Sequence, residues 1–543
     1  MPVEHICMES RACHCHELSA ENTLLMEKVS ILSTQNAQLA EENRWFKEQF
    51  LLARHRQFGA KSERTTLDPS QLGPLFNEAE AILGSSPKEA LEEKTITYTR
   101  RKKSIGHREE VLADLRTETI DYYLPEEERI CECCGGPLHE MSTKTREELK
   151  IVPAQVSVIR HVRHVYACRN CDRNETSTPI VTAPSPLPII EKSLASPSAI
   201  AHIMGMKYGD AMPLYRIEKH FEQFGVEMPR AVLSNWMIKG GELLSPIYTR
   251  MHTILLGHSP LHADETTLQV LKEDGRKAQS KSYMWQYCSG SVGPPIVLYE
   301  YQPTRDGDHP HRFLSGFKGY LHVDGYAGYN GIPGVILVGC WAHARRKFVE
   351  AQKVLPKDER ENPEHRVNIA LAYIKRLFKI EEELSNATPD ERKAARELRS
   401  KPITDEFKTW LDVQAVQVLP KSTLGVAVGY CLGQWTKLEV YLTDGRLEIS
   451  NNRAERSIKP FVIGRKNWLF ANTPKGAKTS ALIYSIVETA KANGLNPYTY
   501  LEYALDHMRE IDPNDKSAID ELLPWSEPVK SALTKGVHSK GRS

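Results

Sequence analysis

The chain has 543 residues, more than one hydrophobic core usually serves, so three or more structural units are expected. Its 71 Lys and Arg residues nearly cancel its 70 Asp and Glu residues, which excludes a nucleic-acid affinity based on net charge alone and leaves local basic patches. No run of ~20 apolar residues and no apolar signal core is present, so we expect a cytoplasmic protein whose cysteines are metal ligands or buried thiols.

A heptad repeat of apolar residues runs through residues 18–50. One seam position holds Leu18, Leu25, Leu32, Leu39 and Phe46, and the other holds Asn22, Val29, Asn36, Asn43 and Phe50. Leucine at one seam position and asparagine at the other are typical of a parallel two-stranded coiled coil. Asparagines that pair with each other across the dimer fix its register and its dimeric state. The pattern therefore predicts a zipper helix within residues 1–64 and a homodimer. A helix packed on its own domain is the alternative.

Residues 65–115 are rich in proline, serine and charge and are expected to form a linker. A zinc-binding module is predicted at 116–180 because two Cys-x-x-Cys pairs flank a segment with β-type alternation. The four predicted ligands are Cys131, Cys134, Cys168 and Cys171. Each pair presents two sulfurs from one tight turn, which suits a tetrahedral structural Zn²⁺. Buried free thiols are the alternative interpretation.

Two further groups of metal-binding residue types have no assigned role. Cys133 lies between the first pair of predicted ligands and is interpreted as a bystander. The stretch Cys13-His14-Cys15-His16 lacks a second pair of ligands, so its role stays open.

Several short helices are predicted for residues 181–250. The piece GVEMPRAVLSNWMI, a glycine turn followed by a helical pattern, resembles the second helix of a helix-turn-helix. An ordinary helical subdomain explains the pattern equally well.

From residue 251 the apolar period changes from helical to alternating. The segment SPLHADETTLQVL predicts a strand with Asp264 in its middle, and two more strands and a short helix follow. A fourth strand, GYLHVDGY, ends on Asp324, and VILVGC gives a fifth. Residues 251–351 and 446–490 are thus expected to form an α/β catalytic core that a helical, charged insertion at 352–445 interrupts.

Two aspartates on adjacent strands repel each other unless a cation lies between them. Carboxylates on the first and fourth strands follow the plan of a ribonuclease H-like fold, whose third carboxylate comes from a later helix. Glu455 is the predicted third member, since it is the single acid in the basic stretch ISNNRAERSIKPFVIGRKNWLF. Such hard oxygen ligands suit Mg²⁺ or Mn²⁺. For Glu455 a plain salt bridge is the alternative.

Two basic stretches accompany these carboxylates and are predicted to bind DNA phosphates. The predicted contacts are Arg453, Arg456, Lys459, Arg465, Lys466, Arg345 and Arg346. His343 and Arg346, in WAHARRKF, follow the predicted fifth strand. For His343 a core histidine with satisfied hydrogen bonds is the first interpretation, and a residue that faces the site is the alternative.

The motifs LHADET, YLHVDGYAGYN, GCWAHARRKF and ISNNRAERSIKPFVIGRKNWLFANTPKG resemble the transposase of the insertion sequence 66 family, a bacterial DDE enzyme. The resemblance extends over nearly the whole chain, including a short C-terminal unit at 491–543. It implies that Asp264, Asp324 and Glu455 form the catalytic triad. It also implies an enzyme that binds inverted-repeat ends and target DNA, cleaves DNA and joins 3′ ends, with accessory proteins of the same element as further partners.

Three competing functions follow from the same features. A nuclease of similar fold would hydrolyse DNA without joining it, and a non-catalytic regulator would use only the zinc and zipper modules. A zinc-dependent hydrolase is excluded because four thiolates leave no open position on the ion.

Overall fold

The computed structural model describes residues 21–36 with isolated helical positions up to residue 50, residues 155–167 and residues 180–539. The chain divides into two compact units, one formed by residues 1–59 and 157–543 and the other by residues 60–156. Residues 21–36 are helical and their side chains are exposed, including the apolar Leu25 and Leu32 of the predicted zipper seam.

A five-stranded mixed sheet lies at the centre of the first unit. A separate two-stranded antiparallel sheet pairs β1 (Val165–Ala167) with β2 (Ile180–Thr182). The central strands are β3 (Leu261–Gln269), β4 (Lys281–Ser289), β5 (Val297–Gln302), β6 (Gly319–Val323) and β7 (Val335–Gly339). Their spatial order is β5-β4-β3-β6-β7; β3, β4 and β5 are antiparallel neighbours, whereas β6 and β7 run parallel to β3. The five strands predicted between residues 259 and 340 are present, whereas the alternating segment at 156–166 forms a paired strand only at its end, in Val165–Ala167.

Helices that precede the sheet in the sequence and helices that follow the insertion share the hydrophobic core of the sheet. Before the sheet come α1 (Pro197–Met204), a π-helical turn at Gly205–Gly209, α2 (Leu214–Glu222) and α3 (Arg230–Leu255). After the insertion come α11 (Asn452–Trp468), α12 (Pro474–Ala492), α13 (Pro497–Met508), α14 (Lys516–Glu521) and α15 (Glu527–Ser539). Because α3 continues to Leu255 and packs in this core, the helical segment expected at 181–250 is joined to the sheet.

A second hydrophobic core lies beside the edge strand β7 and belongs to the insertion and its flanks. Within the sheet region, α4 (Asp308–Phe313) joins β5 to β6. The helices from β7 onward are α5 (Trp341–Lys353), α6 (Lys357–Glu361), α7 (Arg366–Glu383), α8 (Pro389–Ala395), a π-helical turn at Arg396–Ser400, α9 (Lys401–Gln417) and α10 (Thr423–Leu438). The aromatic rings of Trp341, Phe407 and Trp435 pack together and tie α5, α9 and α10 into one bundle.

The position of α11 on the sheet is fixed by close packing at a glycine. A Cβ atom at Gly464 would lie only 2.4 Å from the hydroxyl oxygen of Tyr484 on α12. The absence of a side chain there lets the two helices approach closely.

Among the residues that the structure describes, no helix combines the length and apolarity needed to cross a membrane.

Candidate active site

Asp264 and Asp324 lie on neighbouring parallel strands. Asp264 is within β3, and Asp324 directly follows the last residue of β6. His262 is paired with His322, and the same register continued by two residues brings Asp264 beside Asp324. Adjacent strands are ~4.8 Å apart and residues at matching positions point to the same face. The two carboxylates therefore share one side of the sheet.

Glu455 adds a third carboxylate from the first turn of α11. Its backbone N–H donates to the carbonyl of Asn451, the residue that precedes the helix, over 3.2 Å. The Glu455 Oε1 atom is buried and has no hydrogen-bond partner among the described residues. Oε2 accepts a long hydrogen bond of 3.4 Å from the Arg346 guanidinium on α5.

The charges of the other two carboxylates act on Asp264. Burial, followed by the negative charges of Glu265, Asp324 and Glu455, holds the pKa of Asp264 well above its usual range. The backbone N–H of Glu265, which donates to Asp264 Oδ1 over 2.9 Å, offsets this shift only in part. Three acids that repel one another need a positive partner in order to ionise together.

The donor set fits a divalent cation of the hard class. Its ligand atoms are carboxylate oxygens, which Mg²⁺ and Mn²⁺ prefer. Oε1 of Glu455, which has no hydrogen-bond partner in the described part of the chain, is an atom that such an ion would satisfy. The pKa of Asp264, which burial raises first and the neighbouring negative charges raise further, would be lowered by the charge of such an ion.

His343 faces Glu455, which corrects its interpretation as a satisfied core histidine. Its side chain is 21 % exposed, and Nδ1 lies 3.6 Å from Glu455 Oε1 without a hydrogen bond in the described part of the chain. Arg346 Nη1 lies 3.3 Å from His343 Nε2. Because a guanidinium can only donate, Nε2 must accept and Nδ1 carries the proton of the neutral ring. His343 thus presents an N–H to the third carboxylate.

Asn451 ties the start of α11 to the strand that carries Asp264. Its side-chain Nδ2 donates to the backbone carbonyl of Ala263 over 2.8 Å, and its Oδ1 lies 3.1 Å from His262 Nδ1. An amide oxygen only accepts, so the imidazole of His262 donates there. The backbone N–H of Asn451 donates to the Cys340 sulfur, 3.1 Å away. One fully buried residue thereby joins β3, the start of α5 and the start of α11.

A pair of buried histidines lies beneath this junction. The rings of His262 and His322 stack with their centroids 4.2 Å apart and their planes 6° from parallel. Burial lowers the pKa of His262 to about 4 and that of His322 well below its ordinary value. Both rings are therefore neutral at physiological pH. The backbone N–H of Glu448 donates to His322 Nε2 over 3.4 Å, which connects the end of the insertion to β6.

Glu265 is a fourth carboxylate that the sequence reasoning missed. Its side chain is 2 % exposed, and it pairs with Arg305 and accepts from the Tyr329 hydroxyl over 2.7 Å. Both oxygens are engaged, so Glu265 contributes charge to its neighbours without an open ligand atom. Strand alternation places Glu265 on the sheet face opposite Asp264. The sequence could have indicated this second buried carboxylate, because Glu265 directly follows Asp264 in the strand segment LHADET.

Cys340, His343 and Glu455 place one ligand atom each within 4.8 Å of one another, the one such grouping found among the described residues. The Cys340 sulfur already accepts the backbone N–H of Asn451. Burial raises the pKa of its thiol to about 11, so it stays protonated near neutral pH. A protonated thiol is a poor metal ligand, and we interpret Cys340 as a structural acceptor.

The predicted DNA-contacting cations differ in their burial and in their surroundings. Arg453 donates to Glu448 over 2.6 and 2.8 Å, and Arg465 donates to the hydroxyls of Thr266 and Thr267 over 3.1 Å. Arg345 is half-buried, and this burial lowers its pKa. Arg346 belongs to the His343–Glu455 group described above. Arg456 and Lys466 are exposed and Lys459 is half-exposed on α11.

Two predicted sites fall outside the part of the chain that the structure describes. These are the four zinc ligands Cys131, Cys134, Cys168 and Cys171, and the Cys13-to-His16 stretch.

Comparison with family models assigns each region of the chain to one group of proteins. The family model described as "Transposase IS66 family" matches residues 192–479, which contain the three carboxylates. "Zinc-finger binding domain of transposase IS66" matches residues 128–172, and "IS66 C-terminal element" matches residues 485–525. "Transposase C of IS166 homeodomain" matches residues 45–120.

Curated relatives share most of the chain's length. The uncharacterized protein y4jD of Sinorhizobium fredii is 31% identical over 421 residues, which cover 75% of this chain and 80% of the relative. The uncharacterized protein y4qI of the same organism is 30% identical over 492 residues, covering 87% of this chain and 86% of the relative. No solved structure matches the chain.

Proposed function

The chain belongs to the transposase IS66 family, and from this premise we propose that it binds the ends of its element, cleaves DNA and joins the 3′ ends to target DNA. The proposal is supported by the pairing of β3 with β6, which brings Asp264 beside Asp324, and by the influence of the Glu455 charge on Asp264. One buried oxygen of Glu455 also has no hydrogen-bond partner among the described residues. The three carboxylates are the donor set that metal-dependent phosphoryl transfer requires.

The order of the strands supports a ribonuclease H-like core. Three antiparallel strands are followed by two that run parallel to the first, in the spatial order β5-β4-β3-β6-β7. The first strand carries Asp264, the fourth leads into Asp324, and a later helix brings Glu455. This agrees with the plan expected from the sequence, on which the proposed roles of the three carboxylates rest.

In the proposed site Asp264, Asp324 and Glu455 would hold the divalent ions, Mg²⁺ or Mn²⁺. Ions held in this way lower the pKa of an attacking water and stabilise the charge of the in-line displacement. His343 directs its Nδ1 proton toward Glu455 Oε1, 3.6 Å away, and would orient that carboxylate by electrostatic attraction. Asn451 keeps the helix of Glu455 in register with the strand of Asp264.

DNA binding is assigned to two parts of the chain. The basic residues of α11 and α5 lie on the elements that bring Glu455 and His343 to the site, where phosphates of the cleaved strand would pass. The N-terminal zipper and the four-cysteine module, which we propose binds one structural Zn²⁺, would recognise the inverted repeats as a homodimer. Accessory proteins of the same element are further proposed partners.

The proposal is tested by a strand-joining assay with purified full-length protein. The substrate is a DNA fragment that carries candidate element ends, mixed with a target plasmid and Mg²⁺ or Mn²⁺. We expect cleavage at the ends and covalent joining to the plasmid. Cleavage without joining would support a nuclease, and end binding without cleavage would support a non-catalytic regulator.

A further inference from the structure

The turn that follows α11 exposes two large apolar side chains. Leu469 is 63 % exposed and Phe470 is 43 % exposed. The turn lies within a strongly basic stretch, since the sequence from Arg456 to Lys478 contains six Lys or Arg residues and no Asp or Glu. Of these cations, Lys475 pairs with Glu242 on α3 over 2.9 Å. Apolar groups within a basic stretch differ from the patches of protein–protein contacts, whose apolar centres are depleted of charge.

The turn is held firmly in an unusual conformation. Leu469 has φ 66°, in the left-handed region that side chains other than glycine rarely adopt. Its backbone N–H donates to the Arg465 carbonyl over 2.7 Å, and the N–H of Phe470 donates to the Trp468 carbonyl over 2.9 Å. A non-glycine residue kept in this region points to a role for its side chain, because glycine would adopt it without strain.

Backbone pairing fixes the distance of the turn from the carboxylates. The N–H of Ala471 donates to the carbonyl of Gln269 at the end of β3 over 2.9 Å, and the N–H of Leu271 donates to the carbonyl of Ala471 over 3.0 Å. Asp264 lies five residues earlier on the same strand, which corresponds to roughly 16 Å at ~3.3 Å per residue. Since base pairs are stacked ~3.4 Å apart, this distance spans about five base pairs of DNA.

We propose that Leu469 and Phe470 form a wedge that contacts unstacked bases of the element end, about five base pairs from the cleaved phosphate. The inference rests on the proposed function and adds a substrate contact to it. DNA is the occupant that the charge favours, because phosphates complement the surrounding cations while base faces complement Leu469 and Phe470. Apolar wedges act by partly unstacking a base step, at a cost that the extra contacts offset.

The test uses full-length protein and a duplex of the element's terminal repeat with 2-aminopurine at single positions three to seven base pairs from the cleavage site. On binding of wild-type protein, fluorescence should rise severalfold at one or two adjacent positions, because unstacking relieves quenching. Phe470→Ala should remove this rise and weaken end binding by about 5- to 100-fold at fixed salt concentration. Phe470→Tyr, which keeps an aromatic face, should retain both.

Matched controls separate the wedge from general surface effects. Leu398, in the insertion, is an exposed leucine at 78 %, and Leu398→Ala should leave fluorescence and binding unchanged. Leu469→Gly relieves the positive φ, so its Tm should stay equal or rise while its fluorescence signal falls. An end duplex with a mismatch at the responsive position should restore binding by Phe470→Ala, because the cost of unpairing is already met.

An unchanged fluorescence profile for Phe470→Ala, or a signal equally strong at every position, would overturn the proposal. The proposal would also be overturned if Phe470→Ala changed the sedimentation of the DNA-free protein relative to wild type but left the DNA distortion unaltered. That result would identify a second copy of the chain as the occupant. The fluorescence assay needs no cleavage. Failure of the proposed function would appear instead as absent strand cutting by wild-type protein that still distorts the duplex.

Discussion

The side-chain amide of Asn451 donates a hydrogen bond to the backbone carbonyl of Ala263, 2.8 Å away. Ala263 immediately precedes Asp264, and the carbonyl of Asn451 accepts the backbone N–H of Glu455. One residue therefore links the backbone positions of two of the three carboxylates.

We predict that Asn451→Ala lowers the cleavage rate constant at least tenfold with a much smaller change in DNA affinity. The substitution leaves the buried carbonyl of Ala263 unpaired, which costs about 1–3 kcal/mol of stability and frees the start of α11. Single-turnover cleavage measures the rate constant, and Mn²⁺ titration calorimetry measures how well the freed helix still presents Glu455 to a metal ion. The control is Asn496→Ala, which removes the asparagine that caps α13 and costs about 1 kcal/mol far along the chain. Equal cleavage by both variants at matched stability would reduce Asn451 to a structural role.

Asp264→Asn should abolish cleavage yet raise the thermal stability of the protein without metal. A carboxyl with a raised folded-state pKa favours folding below its unfolded pKa of ~3.9, and this contribution is lost as pH rises through the folded value. Neutral pH lies above the unfolded pKa, so the Asp264 carboxyl destabilises the fold there. We expect Tm to rise by about 2–4 °C, which corresponds to on the order of 1 kcal/mol.

Calorimetry with and without Mn²⁺ checks this prediction. Bound metal should raise the Tm of the wild-type protein and have little effect on the variant, because ligand binding stabilises only the state that binds it. A lower Tm for Asp264→Asn, or normal strand cutting, would contradict the assignment of Asp264. Asp324→Asn and Glu455→Gln should likewise prevent cleavage while repeat binding is retained.

His343→Ala should reduce the cleavage rate about tenfold and raise the Mn²⁺ concentration needed for half-maximal activity. A tenfold loss corresponds to about 1.4 kcal/mol of transition-state stabilisation, which we assign to the electrostatic attraction between the Nδ1 N–H and the Glu455 carboxylate. His343→Asn, whose amide N–H can occupy the place of Nδ1, should retain most of the rate, whereas His343→Gln should not. If the Asn and Gln variants behave alike, the Nδ1 proton does not orient Glu455.

Cys131→Ser should lower the zinc content of the purified protein, because four thiolates are proposed to hold one ion and three leave the site incomplete. Metal analysis by mass spectrometry measures the loss. Cys133→Ser is the matched control, since Cys133 lies in the same short stretch but outside the two Cys-x-x-Cys pairs. The four-ligand assignment would be wrong if zinc stayed at wild-type content in Cys131→Ser.

The sequence by itself determined the strands around Asp264 and Asp324 and the basic helix of Glu455. Strand and helix periodicity is local, so each element could be predicted from about ten neighbouring residues. The motif resemblance supplied the family, which the family models confirmed.

Only the tertiary structure decided which side chains support those three carboxylates. The bond from Asn451 to Ala263 joins positions 188 residues apart, and the contact between His343 and Glu455 crosses the whole helical insertion. Strand pairing and a bundle of insertion helices bring these groups together, and no local pattern encodes such a contact. The positive φ of Leu469 was equally hidden, because a leucine is expected to have a negative φ. The positive value accompanies the backbone pairing of Ala471 with the end of β3, which is a tertiary contact.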